Sequence, residues 1–275
     1  MLLNVSDPAV AYLLGLLHTD GSHYGDVNGK GKVTIELAVR DIDVLNAVQP
    51  VIPCYSSISL RTRKTNFADN CTTATLAFFD QEVRQQLATL GMPPGRKSRT
   101  VVPPTLEPTL QVPYLRGLLD GDGSIGFTAK DCPFVSFVTD SEALVRFVEA
   151  EIFRHAHVRR RAGRNTRDGA FNVMVASVAA VDLATAVWGV PNQVGLQRKR
   201  EAAARVAAWT PPTSRFGIRR KGWLPHEDPV VMALDPETAA IQLGRTVQSV
   251  NMRRWRIARA QRLVAEPHTV NVKVD

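Results

Sequence analysis

The sequence predicts an α+β fold: two copies of an αββαββα unit, followed by a small all-α module. Three observations predict it. An eleven-residue stretch occurs twice, strands of strict alternation follow the first copy, and the last quarter of the chain returns to helical periodicity after a basic Pro/Gly-containing interruption.

The first copy is Tyr12-Leu13-Leu14-Gly15-Leu16-Leu17-His18-Thr19-Asp20-Gly21-Ser22. The second is Tyr114-Leu115-Arg116-Gly117-Leu118-Leu119-Asp120-Gly121-Asp122-Gly123-Ser124. Eight of the eleven positions match at an offset of 102 residues. Asp7-Pro8 reads as N-cap and first helical residue, and Pro113 is assigned the same start in the second copy. Leu13, Leu16 and Leu17 share a helical face and belong to the core. Gly15 and Thr19, like Gly117 and Gly121, are small residues four apart, which lets two helix backbones approach; the two copies are expected to pack on each other. Gly21 and Gly123 are expected as left-handed caps.

Each copy ends on an aspartate, Asp20 or Asp122. A helix C-terminus is already negative, so packing two such ends together gathers carboxylates and carbonyls at one point and calls for a cation. Oxygen-only ligands favour a hard ion such as Mg²⁺, and metal-holding aspartates on a basic chain suggest metal-assisted phosphodiester hydrolysis.

After Ser22 the first half reads as two strands, a helix, two strands and a helix. In Lys32 to Arg40, Val33, Ile35, Leu37 and Val39 alternate with polar or small residues, including Thr34 and Glu36. Asp41 to Ile52 reads as a helix capped by Asp41. In Tyr55 to Arg63, Ile58 and Leu60 are assigned inward and Ser57, Ser59, Arg61 and Arg63 outward. Ala74, Leu76 and Phe78 are inward in the next strand, with Thr75 outward, and Gln81 to Leu90 closes the half as a helix. The second half repeats the scheme: a hairpin from Gly126 to Val138 carrying Thr128 and Lys130, a helix from Ser141 to about His155, and strands near Val158 to Gly163 and Phe171 to Ala176, the latter with Asn172. The hairpin joining these last strands is dense in arginine: Arg159, Arg160, Arg161, Arg164 and Arg167. Arg96-Lys97 and Arg198-Lys199 keep the same offset of 102, so the repeat spans whole domains.

These residues resemble the LAGLIDADG homing endonucleases in their single-chain, two-motif form, over roughly residues 7 to 208. The resemblance implies saddle-shaped antiparallel sheets over the major groove of double-stranded DNA. Asp20 and Asp122 are the metal-binding acids it implies, with the carbonyls of Thr19 and Gly121 completing the site for two or three Mg²⁺ or Mn²⁺ ions. Lys97 and Lys199 would orient water or stabilise the pentavalent phosphate, or serve only as phosphate contacts. His18 stands where the family has an acid, and Thr19 where it has Gly or Ala, which implies a slightly wider helix crossing. The outward face would be the reading surface: Tyr24, Asn28, Lys32, Thr34, Glu36, Arg40, Ser57, Ser59, Arg61, Arg63, Thr75, Thr128, Lys130, Arg159, Arg161, Arg164, Arg167 and Asn172.

The net charge of +8 and pI near 9.7 favour a polyanionic partner. Three scattered cysteines without CxxC spacing argue against zinc and a disulfide framework and fit a reducing cytoplasm, of a bacterium or a phage-infected cell. No apolar run approaches membrane-spanning length, and no secretory pattern is expected at the N-terminus. The chain divides into a first repeat at 1–104, a second at 105–209, a basic linker at 210–225 with Arg219, Arg220 and Lys221, a helix-turn-helix at 226–265 and a tail at 266–275. In the helix-turn-helix, Asp235-Pro236-Glu237 caps a helix ending at Leu243-Gly244, and a second runs from Val247 to about Gln261. Ala240, Leu243, Val250 and Ile257 form its core; Gln248, Ser249, Arg253 and Arg256 project towards DNA.

The leading expectation is a monomeric site-specific endonuclease. The alternatives are a transcription regulator pairing the same fold with a helix-turn-helix, or an intron maturase with intron RNA as partner. Retention of both aspartates argues for the nuclease, and the lack of intein-like terminal residues for a freestanding or intron-encoded protein.

Overall fold

A computed structural model describes residues 1–64, 70–211 and 223–265, with side chains of the last helix described through Ala258. The chain forms two compact units, residues 1–211 and 212–275.

The first unit is the duplication. Its first half runs α1 (Pro8–Thr19), β1 (Gly21–Gly25), β2 (Gly31–Ala38), α2 (Ile42–Val48), β3 (Ser56–Arg63), β4 (Cys71–Phe78) and α3 (Gln81–Thr89). The second runs α4 (Pro108–Asp122), β5 (Gly123–Phe127), β6 (Pro133–Thr139), α5 (Glu142–Ala156), β7 (Gly163–Arg164), β8 (Phe171–Ala176), α6 (Val178–Trp188) and α7 (Gln197–Ala207). Each half makes one antiparallel sheet, ordered β1-β2-β4-β3 and β5-β6-β8-β7. Alternation gives each sheet one face in the core, through Val33, Ile35, Ala74 and Leu76 in the first and Val135, Phe137, Val173 and Val175 in the second. The other face is left open.

The expected start of α1 holds: the Asp7 carboxylate accepts from Ala9 N at 2.8 Å, with Pro8 at the first helical position. Val10 to Leu17 are buried all round, so α1 is a central helix with no solvated face. Its partner is α4. A Cβ on Gly15 would overlap the Tyr114 carbonyl oxygen, and one on Gly117 the Tyr12 carbonyl oxygen, so the two backbones touch where only hydrogen fits.

Several expectations change. Pro113 does not begin the second motif helix; Pro108 does, and Pro113 lies inside α4. Gly21 and Gly123 are not left-handed caps. Gly123 is extended (φ −90°, ψ 165°), and both glycines open their strands where a Cβ would run into the preceding helix turn, at the carbonyls of Leu17 and Leu119. Leu60 is exposed although its register partner Ala74 is fully buried, because β3 is the edge strand and the cover at that row stops at β4. Asp41 makes no cap bond to α2; its carboxylate pairs with Arg198 at 3.1 Å. The strand expected from Val158 to Gly163 is observed only as Gly163–Arg164, and Arg159 before it turns to stack on Phe153 of α5. The three cysteines are free and half-buried.

The second unit holds α8 (Glu227–Ala233), α9 (Pro236–Leu243) and α10 (Val247–Ala265). Asp235 caps α9 by accepting from Glu237 N and Thr238 N, and Gly244 ends it in the left-handed region (φ 60°). Ala240 and Val250 are core, with Leu243 and Ile257 packed against them, as expected; α8, which was not expected, adds Val231. Among the described residues no helix is long and apolar enough to cross a membrane.

Candidate active site

Asp20 follows α1 as its C-cap, and Asp122 is the last residue of α4. Because α1 and α4 are in backbone contact, their C-terminal ends lie together: a Cβ on Gly121 would stand 3.0 Å from Asp20 Oδ2, and the Asp122 carboxylate is near enough for its charge to act on Asp20. Both side chains open to solvent, yet packing strips hydration from them. That loss, and then the charge of Asp122, push the Asp20 carboxyl up to about 6, against the pull of Lys199, Lys97 and Arg198. Lost hydration raises Asp122 as well, opposed by Lys97 and Lys199.

Each aspartate has a buried lysine beneath it. Lys97 sits in a turn closed by Thr100 N and Val101 N bonding to its carbonyl, and its ammonium donates to the carbonyls of His18 at 2.7 Å and Thr19 at 2.8 Å. Lys199 lies in the first turn of α7 and donates to Leu119, Asp120 and Gly123 at 2.5, 2.6 and 2.9 Å. Burial lowers both amines to about 8, against the carboxylates' pull. The lysines therefore neutralise the two helix C-termini and fix them side by side. One expected metal-binding carbonyl, Thr19 O, is thus an acceptor for Lys97, while Gly121 lies in the last turn of α4 against the Thr19 side chain. Among the described residues no cluster of three or more His, Cys, Asp or Glu stands together. The donor set that fits a divalent cation is the carboxylate pair with its surrounding backbone oxygens, hard ligands whose mutual repulsion a cation relieves.

A layer under the aspartates was not foreseen. Tyr12 donates to Asp120 Oδ2 at 2.9 Å, and Tyr114 OH meets His18 Nδ1 at 2.8 Å. Each first-position tyrosine of one motif thus bonds the residue next to Thr19 or Gly121 in the other. Asp120 also accepts from Trp188 Nε1 and Leu196 N, and burial raises its carboxyl. Burial, with Lys97 nearby, lowers His18 to about 3, so its ring is neutral. The identical spacing of Tyr12 and Tyr114 to His18 and Asp120 was the available signal. Arg116 was also missed: buried in α4, it donates to the carbonyls of Val187 and Val194 and to Gln193 Oε1. Asp122, Lys97, His18 and Thr19 line a cleft of about 250 Å³ together with Val138 and Asp140.

The expected reading residues are placed unevenly. Lys32, Thr34, Glu36, Ser57, Ser59, Arg61, Arg63 and Thr75 share the open face of the first sheet, joined by Tyr24, while Arg40 lies just past β2. Arg63 and Glu36 pair with each other at 2.8 Å. Asn28 turns to α3, its side-chain oxygen accepting from Gln85 at 3.0 Å, in a loop stapled by buried Arg84 to the carbonyls of Asp26 and Gly29. In the second half Asn172 is on the open face; Thr128 and Lys130 lie in the β5–β6 turn, where Thr128 Oγ1 accepts from Cys132 N. Arg161 is exposed before β7, Arg167 pairs with Asp168, and Arg159 stacks on Phe153 of α5. Arg164 lies over the Phe171 ring at 4.1 Å, on the core side of its sheet edge and away from the open face, because it pairs in register with inward Phe171. Gln248, Ser249 and Arg256 lie on α10 with Gln248 and Arg256 exposed, but Arg253 does not project freely: it is clamped to Asp228 by two 2.7 Å bonds. Arg219, Arg220 and Lys221 lie outside the described residues.

No family model and no curated protein matches the chain. Solved structures do. The homing endonuclease I-DmoI in complex with DNA and Ca aligns with a TM-score of 0.52 at 17% identity, over 74% of this chain and 98% of that one. The homing endonuclease I-WcaI, bound to its DNA recognition sequence, aligns with a TM-score of 0.52 at 11% identity, over 72% of this chain and 87% of that one. With its paired motif helices and two four-stranded sheets, this chain has the fold of the LAGLIDADG homing endonucleases.

Proposed function

We propose that this chain is a site-specific endonuclease that makes a metal-dependent double-strand break in duplex DNA. The observation that carries the reading is that Asp20 and Asp122, close enough for the charge of one to act on the other, stand at the touching ends of α1 and α4, whose last carbonyls are each held by a buried lysine. The duplication supplies one aspartate and one buried lysine from each half, which would serve one scissile phosphate on each strand. Mg²⁺ or Mn²⁺ held by the pair would activate water and neutralise charge developing on the phosphate. The chain's own residues do the rest. Asp20 and Asp122 would hold the cation. Lys97 and Lys199 keep the helix ends from recoiling and set a positive field beside the phosphate. The Tyr12–Asp120 and Tyr114–His18 bonds hold the two helices in register below.

The open sheet faces, the net charge of +8 and the DNA held by I-DmoI and I-WcaI support a duplex as substrate. The second unit, with its capped α9, left-handed Gly244 and basic α10, would act as a helix-turn-helix that adds contacts through Gln248, Ser249 and Arg256. Incubating the full chain with DNA of its own genomic locus, with and without Mg²⁺, and mapping the new ends tests the proposal. One double-strand break that requires Mg²⁺ is expected; uncut DNA in both arms contradicts it.

A further inference from the structure

The open faces of the two sheets differ in chemistry although their topology is the same. Outward positions of the first sheet include Lys32, Glu36, Arg61 and Arg63. In the second sheet, strict alternation puts Ser124, Phe134, Ser136, Val138, Asn172 and Met174 outward, with only glycine or alanine at the remaining outward positions. Among the described residues no charged side chain stands on that face within the strands, since Arg164 lies on the opposite side against Phe171. Yet the face is not sealed: Met174 is 51% exposed and Val138 37%. It is also not remote, because Val138 lines the same cleft as Asp122 and Lys97.

Apolar groups on a surface that meets DNA have one specific partner in the major groove, the C5 methyl of thymine, while asparagine pairs bidentately with adenine N6 and N7. Val138 and Asn172 are directly opposite in the β6–β8 register, so a methyl contact and an adenine contact are set side by side, the arrangement an A·T pair requires. We propose that the second sheet reads an A·T-rich half-site, with Val138 and Met174 packed on thymine methyls and Asn172 on adenine. This rests on the duplex-cleaving function proposed above.

The test uses a duplex selected from a random library by the full chain without divalent cation, so that it is bound and not cut. Thymines are then replaced by uracil, which removes only the methyl. Each uracil under the second sheet should weaken binding about fourfold, the worth of one buried methyl-sized group. In Met174→Ala or Val138→Ala that penalty should vanish for the thymine each side chain covers; thermal melting and binding to the thymine-free part of the duplex check that each variant is folded, Val138 being the more buried of the two. Sequence-specific binding with no uracil penalty, or a penalty that both variants retain, would overturn the half-site assignment and leave the nuclease reading standing. Failure to select any preferred duplex would remove both.

Discussion

The Tyr12 hydroxyl of the first motif donates to the Asp120 carboxylate of the second at 2.9 Å, and the pseudo-symmetric Tyr114 hydroxyl meets the neutral His18 ring at 2.8 Å. One bond is charge-assisted when Asp120 is ionised and the other is neutral. Tyr12→Phe should therefore cost about 1.5–3 kcal/mol and Tyr114→Phe about 0.5–1.5 kcal/mol. Urea denaturation of the two variants checks the order; an equal or reversed cost would mean that Asp120 is held protonated or is satisfied by Trp188 and Leu196 alone.

A second prediction concerns the crossing of α1 and α4. A Cβ on Gly121 would overlap the Thr19 hydroxyl, which itself donates to Gly15 O and Leu16 O. Gly121→Ala should destabilise by about 1–3 kcal/mol, as overpacking does, and adding Thr19→Gly should recover most of it. Additive losses in the double variant would mean that the two sites do not oppose each other.

That crossing was legible in the sequence because it needs only small residues at fixed spacing in two copies. The alternation of β2 and the caps at Asp7 and Asp235 were legible for the same reason: each depends on neighbours within a few residues. What failed depended on partners far along the chain or on how far the core extends. Gly21 and Gly123 look like caps until the preceding helix turn is seen against them. Leu60 follows the inward alternation but stands on edge strand β3, outside the cover that buries its register partner Ala74. Arg253 and Arg164 read as free basic groups, and only the fold supplies Asp228 and the Phe171 ring. Of the site, Asp20, Asp122, Lys97 and Lys199 were legible through their equal spacing, whereas the use of both lysines as caps on helix carbonyls was not.

The electrostatic cost of the aspartate pair gives a third prediction. The folded-state pKa of Asp20, about 6, lies above its unfolded value, so the metal-free fold binds that proton more tightly than the unfolded chain does. Stability from this group is present at acid pH and is lost as pH rises from about 4 through 6. Asp20→Asn should thus raise metal-free stability at pH 7 by about 1 kcal/mol, after discounting for solvent screening, or a few degrees in Tm. The gain should disappear near pH 4. Mg²⁺ should raise the Tm of the parent and not of the variant. A variant less stable than the parent at pH 7 without metal would count against a strained pair.

The two units have separate cores, so removing residues 212–275 should leave the first unit folded with the same cut position. Affinity should fall, and the salt dependence of binding should become shallower in proportion to the phosphates that the second unit neutralises. A footprint of the truncated chain should shorten on one side only; an unchanged footprint and affinity would show that the second unit does not touch DNA.

The central claim is that Asp20 and Asp122 together form a divalent-metal nuclease centre. Single-turnover cleavage of the mapped target, labelled on both strands, measures it directly when the parent is compared with Asp20→Asn and Asp122→Asn in Mg²⁺. Neither variant should yield double-strand product, while both bind the duplex within a few fold of the parent, because affinity comes chiefly from phosphate contacts elsewhere. Full double-strand cleavage by either variant would contradict the claim.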